Sequence, residues 1–442
     1  MSEKQLQPVD PYEAKEIYRE LDITKVVNAN FLATIVGGST MPDEVVEAAN
    51  ETHDQFAWLW EMQEEAGRVI ADITGAEAAH VTTGTYAGMV VSAAACMAGT
   101  DREKKAKLPS DTEEIADEFI IQKSPRSMCY NRAIETAGGT FVPVGDESGC
   151  TVTDIEAAIG ENTAGVVYMA PGPGPQPGPK YIKGEKEGFE GAANAVPLED
   201  VVEVAHDHDL PVIVDAAGQT YPVDGFKRYV EIGADLVCYS GKYFIGPNAA
   251  GFVIGKEEYV EAAFHNGFLG DSGYGLPEPE TVDYLPDDEH ASRNRPREPL
   301  AENSIYGVGR GYKLDRFDIV ATVEALKHWV NLDHESERFE PAKKRGEYIM
   351  SELREHSDLD MTLGDHYYHV IPLDVVFTDK TEAYVDELKR VLLENDPMVY
   401  PRSIDVTDDG NPKLTLNMLW LQPGEEEVIA DRLQELLDDS RP

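Results

Sequence analysis

From about Ala78 the chain alternates short apolar runs with stretches whose apolar positions recur at helical spacing. The runs predict strands at Ala79–Thr82, Phe119–Gln122, Thr140–Val144, Gly165–Ala170, Pro211–Asp215, Asp235–Tyr239 and Gly251–Gly255. Between them, Thr85–Ala98 reads as a helix of small residues and Leu198–Asp207 as an amphipathic one. The run PVIVD has no polar alternation, as in a strand covered on both faces. Together these elements predict a mostly parallel seven-stranded sheet with helices on its faces, a fold of the α/β class. Ligands of such sheets sit outside the carboxyl ends of the strands.

After Gly309 the pattern changes. Helices are expected at Asp315–Trp329, Glu337–Glu355 and from Thr381, with strands at Val370–Phe377 and Lys413–Leu419. The expected organisation is a helical arm over 1–27, a large domain over 28–309 and a small C-terminal α+β domain over 310–442. Pro171–Asn194 and Gly267–Asn303, rich in Pro, Gly and acidic residues, read as irregular surface segments. The length of 442 residues suits two or three domains, and a hydrophobic fraction of 42% is enough for packed cores. Met89–Met97 is among the longest apolar runs and falls far short of the roughly 20 residues that span a bilayer. The opening MSEKQLQPVD has no basic and apolar regions of a secretory leader, so a cytoplasmic protein with no membrane partner is expected.

Charge changes the picture. Asp and Glu number 83 against 38 Lys and Arg, a formal net charge of −45 spread through every segment. On a well-patterned sequence this argues for a halophilic cytosol, where salt screens self-repulsion and carboxylates keep the surface hydrated. It counts against a nucleic-acid partner, because phosphate binding calls for a basic surface. The four cysteines, Cys96, Cys129, Cys150 and Cys238, lack the spacing of a disulfide framework or a metal site.

Candidate chemistry falls at strand ends. TTGTYAG (Thr82–Gly88) ends a strand and opens a helix, so the backbone N–H groups with the Thr83 and Thr85 hydroxyls form an anion cradle that Gly84 lets a ligand approach. The plain alternative is a Thr cap and a Gly turn. Asp215 closes PVIVD, where it either pairs with a cation such as a protonated pyridine nitrogen or caps the next turn. Ala217 is small enough to lie against a ring. Lys242, in YSGKYFIGP, follows a strand beside Ser240, where loss of water makes an amine nucleophilic towards a carbonyl. Cradle, acid and lysine at successive strand ends form a specific combination.

VVNANFLATIVGGSTMPDEV, ITGAEAAHVTTGTYAG, LPVIVDAAGQ, GADLVCYSGKYFIGP and GVGRGYKLDR make the chain resemble fold-type I pyridoxal-phosphate (PLP) enzymes. Within them it is similar to the group of bacterial selenocysteine synthase and D-glucosaminate-6-phosphate ammonia lyase. The likeness runs from about Val26 to the C-terminal GEEEVIADRL. It implies the PLP-dependent transferase fold, with Lys242 carrying the cofactor as a Schiff base and acting as base at Cα. It also implies Asp215 on the pyridinium, and Thr83, Gly84, Thr85 and Ser240 at the phosphate. Pro125 stands where relatives have a His, while Arg126 remains. Arg126, Arg310, Lys313 and Arg402 are the substrate candidates, structural ion pairs being the alternative for the last three. The expected function is a lyase or transferase on a small amino acid or amino-sugar acid. Alternatives are selenium transfer to seryl-tRNA, aminotransfer, and a non-catalytic PLP-fold binding module; a desulfurase ranks low because no Cys follows Cys238. A homodimer or larger homo-oligomer is expected, with the glycine-rich Val36–Ser39 completing a partner's site.

Overall fold

After a first short strand, β1 (Val26–Ala29), the apolar runs become seven strands: β2 (Ala78–Thr82), β3 (Glu118–Gln122), β4 (Thr140–Val144), β5 (Thr163–Met169), β6 (Val212–Asp215), β7 (Leu236–Ser240) and β8 (Gly251–Gly255). The computed structural model describes residues 10–123, 132–146, 149–170, 195–270, 305–381 and 383–438. The seven strands form one sheet in the order β2-β8-β7-β6-β5-β3-β4. Its pairs are parallel except those of β8, which runs antiparallel to both β2 and β7. Hence β2, β6 and β7 end at the same edge, the edge where β8 begins.

Burial explains the unbroken apolar runs. Val212, Ile213 and Val214 are all 0% exposed, and every residue of β7 and β8 is buried. The helix Gly84–Ala98 lies against the sheet through its small residues. A Cβ on Gly88 would meet Val253 Cγ2 at 3.0 Å and Cys238 Sγ at 3.3 Å, so any larger residue would push the helix outward. Helix Leu59–Thr74 ends at Gly75 in the left-handed region (φ 73°). Its Gln63 side chain pairs with both the N–H and the C=O of Val81, each at 3.0 Å. An amide side chain thereby closes backbone groups that edge strand β2 would otherwise leave open.

Two compact units result, Ser39–Val330 and Met1–Gly38 with Asn331–Pro442. The expected boundaries lay at 27/28 and 309/310. Helix Arg316–Asn331 lies with the sheet unit because Trp329 Nε1 donates to Thr220 O at 2.7 Å and Arg316 Nε to Thr52 O at 3.1 Å. Of the expected helical arm, the described residues hold one short helix, Glu16–Glu20. In the smaller unit β9 (Leu359–Leu363), β10 (Pro372–Phe377), β12 (Ser403–Val406) and β13 (Pro412–Asn417) form an antiparallel sheet in the order β12-β13-β10-β9. There β1 pairs in parallel with β11 (Met398–Pro401). No helix among the described residues is long and apolar enough to cross a membrane.

Candidate active site

The cradle, the acid and the lysine meet at one sheet edge. Gly251, the first residue of β8, pairs with Thr82 on one side and with Ser240 on the other. A Cβ on Gly251 would stand 2.2 Å from Tyr239 O, 3.1 Å from Gly84 Cα and 3.2 Å from Ser240 Cα. The TTGT turn and the SGK turn therefore close on each other over a residue that must be glycine. On the far side of β7, Asp215 is paired with Cys238. The Ser240 N–H donates to Ala217 O at 3.1 Å and the Ala216 N–H to Cys238 O at 3.0 Å, which fixes the segment after Asp215 against the strand that leads to Lys242.

The helix start at Gly84 has the features expected of an anion cradle. Gly84 takes φ 74°, a conformation costly for residues with a side chain. Thr83, at the capping position, makes no side-chain cap; its hydroxyl donates instead to Tyr312 O at 2.8 Å. The first-turn N–H groups have no partner inside a helix, and such groups favour an anion. Thr85 Oγ1 is buried without a hydrogen-bond partner among the described residues. Thr83 therefore does not cap the helix through its side chain, and the turn presents a buried hydroxyl without a partner among the described residues beside a glycine backbone.

Asp215 accepts the Ala217 N–H at 3.1 Å, the turn contact offered above as its plain role. That bond orients the carboxylate at the end of the buried strand. Lys242 lies on a 3-10 turn, Gly241–Phe244, with its Nζ 5.2 Å from the centre of the Tyr243 ring. Burial lowers its amine below the ordinary lysine value, because the charged form has lost water. Gly241 has no room for a side chain, since a Cβ would sit 2.7 Å from Pro247 O and 2.9 Å from Ala250 O. Backbone thus closes around the lysine from the side of β8.

The structure brings together Thr83, Gly84, Thr85, Asp215, Ala217, Ser240 and Lys242. Arg310 and Lys313 flank Tyr312, the residue that receives the Thr83 hydroxyl, so their segment lies beside the cradle. The Arg310 guanidinium stacks 4.9 Å above the Tyr306 ring, and Lys313 is exposed. Arg402 belongs to the smaller unit, where its guanidinium lies 5.5 Å from the Phe31 ring. Arg126 and Pro125 lie outside the described residues. Sequence reasoning missed Tyr312 and Asn248, whose buried Oδ1 has no partner among the described residues in the turn between Lys242 and β8. The run GPNAAG carried that signal: a polar side chain amid Gly, Pro and Ala.

The chain is similar to known proteins in sequence and fold. A family model described as L-seryl-tRNA selenium transferase matches residues 26–268. The chain is 34% identical over 253 residues to a 5'-C-glycyluridine monooxygenase-decarboxylase of Streptomyces sp, covering 55% of this chain and 57% of the relative. It is 30% identical over 257 residues to a D-glucosaminate-6-phosphate ammonia lyase of Salmonella typhimurium, covering 57% and 64%. It is 27% identical over 274 residues to an L-seryl-tRNA(Sec) selenium transferase of Clostridium perfringens, covering 56% and 53%. The chain thus spans between half and two thirds of the length of these curated relatives. A solved D-glucosaminate-6-phosphate ammonia-lyase superposes with a TM-score of 0.71 at 22% identity, covering 96% of this chain and 98% of that one.

Proposed function

Because the chain belongs to the L-seryl-tRNA selenium transferase family, we propose that it is a PLP-dependent lyase or transferase acting on a small amino acid or amino-sugar acid. The observation that carries the reading is the meeting of an uncapped helix start, Asp215 and a half-buried lysine at one sheet edge. By their names, the relatives act on a glycyl-nucleoside, an amino-sugar acid phosphate and a seryl-tRNA. Each name puts an amine next to a carboxyl carbon, the arrangement a lysine-bound carbonyl cofactor activates.

Thr85 Oγ1 and the first-turn N–H groups hold the phosphate, with Ser240 beside them and Gly84 letting it approach. Lys242 Nζ attaches the cofactor. When not bound to the cofactor, Nζ would accept the proton from the substrate's Cα, and burial, which lowers its pKa, favours the neutral, proton-accepting form. Asp215 holds a proton at the ring nitrogen, and Ala217 leaves room for the ring. Bound there, PLP supplies a carbonyl that condenses with amines and an electron-poor ring that stores the charge left at Cα. Arg310, Lys313, Arg402 and Arg126 are the cations assigned to the substrate's acidic groups, Arg through its bidentate fork. The net charge of −45 supports a free small substrate over seryl-tRNA.

The protein acts as a homodimer or larger homo-oligomer in a salt-rich cytoplasm. Large apolar side chains left in water support assembly: Phe56 is 99% exposed and Ile35 84%. The free thiols Cys96, Cys150 and Cys238 suit a reducing compartment. The test is a purified protein that is yellow, is bleached by borohydride with label on Lys242, and changes spectrum with amino compounds bearing a carboxylate. Label on another lysine, or none, would overturn the reading.

A further inference from the structure

We propose that Thr220 is a positioning residue for Lys242, tying the turn that carries the amine to the segment that carries Asp215. The inference rests on the PLP reading above.

The turn Gly241–Phe244 has backbone bonds at both of its ends, and the Ser39 hydroxyl also donates to Gly246 O at 3.1 Å. The Gly241 N–H donates to Ala250 O at 2.7 Å, and the Gly246 N–H returns to Gly241 O at 2.9 Å. Its exit runs through Ile245 at φ 57°, a left-handed conformation that a β-branched residue adopts only under constraint. The middle of the turn is held differently. Tyr243 O accepts the Thr220 hydroxyl at 2.7 Å, and Tyr243 carries the ring that faces Lys242 Nζ at 5.2 Å.

Thr220 itself cannot drift. It is 0% exposed, and its carbonyl accepts the indole N–H of Trp329 at 2.7 Å. Trp329, also 0% exposed, heads the largest fully buried side chains, so moving Thr220 means moving core. Thr220 closes the short segment that leaves the sheet at Asp215, within which the Gln219 N–H donates to Ala216 O at 2.9 Å. One hydroxyl therefore links the acid's segment to the amine's turn. The donor is 0% exposed and the carbonyl that accepts from it is partly buried, so losing the hydroxyl leaves that carbonyl short of its protein partner.

Valine fills the same volume as threonine without the hydroxyl, so Thr220→Val isolates the bond, and Thr220→Ser restores it. The first readout is the pH midpoint at which Lys242 of the cofactor-free protein reacts with an amine reagent. The second is the split between kcat and KM for the loaded enzyme. In Thr220→Val the loosened turn should let water reach Nζ, raising the midpoint towards the ordinary lysine value and lowering kcat about fivefold to tenfold, with KM within about twofold. Thr220→Ser should return both. A Val variant with an unmoved midpoint and kcat overturns the proposal, whatever its melting temperature, and so does a Ser variant as impaired as Val. Should the Val variant not fold, Thr220→Cys, a weaker donor of similar size, takes its place under the same two outcomes. Borohydride labelling separates the two readings. No label on Lys242 of the unaltered protein refutes the PLP assignment, whereas normal label with an unmoved midpoint refutes only the role of Thr220.

Discussion

Thr83 gives its hydroxyl hydrogen to the carbonyl of Tyr312 at 2.8 Å, so the residue best placed to cap the helix Gly84–Ala98 does not cap it. A helix start without its cap loses about 0.5–2 kcal/mol unless something else meets its N–H groups. The neighbouring Thr85 hydroxyl, buried and unpartnered among the described residues, adds to that deficit. An anion bound at this turn would offset that deficit.

Thr85→Val should separate ligand binding from folding. In the cofactor-free protein the change removes a buried hydroxyl with nothing to bond, so the melting temperature should hold or rise slightly. In the loaded protein it removes a hydrogen bond to a charged group, worth about 1.5–3 kcal/mol, or roughly 10- to 150-fold in cofactor affinity. Absorbance titration with PLP measures it. An unchanged Kd would show that the phosphate lies elsewhere.

Lys242→Met carries a pH signature. Burial lowers the Lys242 amine from its ordinary value of 10.5. Between the lowered native value and 10.5, the unfolded chain keeps a proton that the native chain has released, so stability rises with pH across that window. Below the window both states are charged and the full burial cost remains. Cofactor-free Lys242→Met should therefore melt above the unaltered protein at pH 7, and the gap should close as pH approaches 10.5. A gap that is constant with pH would mean the amine is not desolvated.

Asp215→Asn keeps the turn contact to Ala217, since an amide oxygen also accepts its N–H. It removes the charge assigned to the ring nitrogen. Borohydride should still label Lys242, while turnover falls about 10- to 150-fold, the cost of losing a hydrogen bond to a charged partner. Near-normal turnover would leave Asp215 as a cap and nothing more.

Much of this site was legible in the sequence because its residues stand where strands stop. TTGT, VDAAG and SGK each follow an apolar run, and the parallel sheet order brings three such ends to one edge without further information. What could not be read was contact across distance. Nothing in the spacing couples Thr83 to Tyr312, 229 positions away, or Trp329 to Thr220, 109 positions away. Helix Arg316–Asn331 looks in sequence like the start of a new domain, yet a contact of the same kind bonds its indole into the sheet unit. The first strand, Val26–Ala29, was hidden because its pairing partner, Met398–Pro401, lies near the other end of the chain.

The charge of −45 predicts dependence on salt. Screening lengths grow from about 3 Å at 1 M to about 10 Å at 0.1 M, so carboxylates that ignore one another in strong salt repel in weak salt. The melting temperature should fall steadily on dilution, by about 2–4 °C for each kcal/mol of stability lost in units of this size. A melting temperature independent of salt would refute the halophilic reading.

Assembly should follow salt as well. Phe56 is 99% exposed, with the Arg316 guanidinium 5.5 Å from its ring, and Trp58 is 46% exposed; a monomer gains nothing by keeping such surface wet. Two chains of this charge associate only where screening is strong, so light scattering should report a dimer or larger species in molar salt and dissociation as salt is withdrawn. Phe56→Asp should shift the same equilibrium towards monomer at constant salt. Gly37 and Gly38 take φ 87° and 81°, and a Cβ on Gly37 would meet nothing within 4 Å among the described residues beyond its two chain neighbours. Valine at either position strains the backbone, at Gly37 without a clash among the described residues, and any loss of activity reports on what the loop approaches. If that is a partner's site, mixing Lys242→Ala chains with Gly37→Val/Gly38→Val chains should restore partial activity. One site in each mixed dimer then has both an intact lysine and an intact loop. A fully active monomer, or mixtures no better than either variant alone, would show that each chain completes its own site.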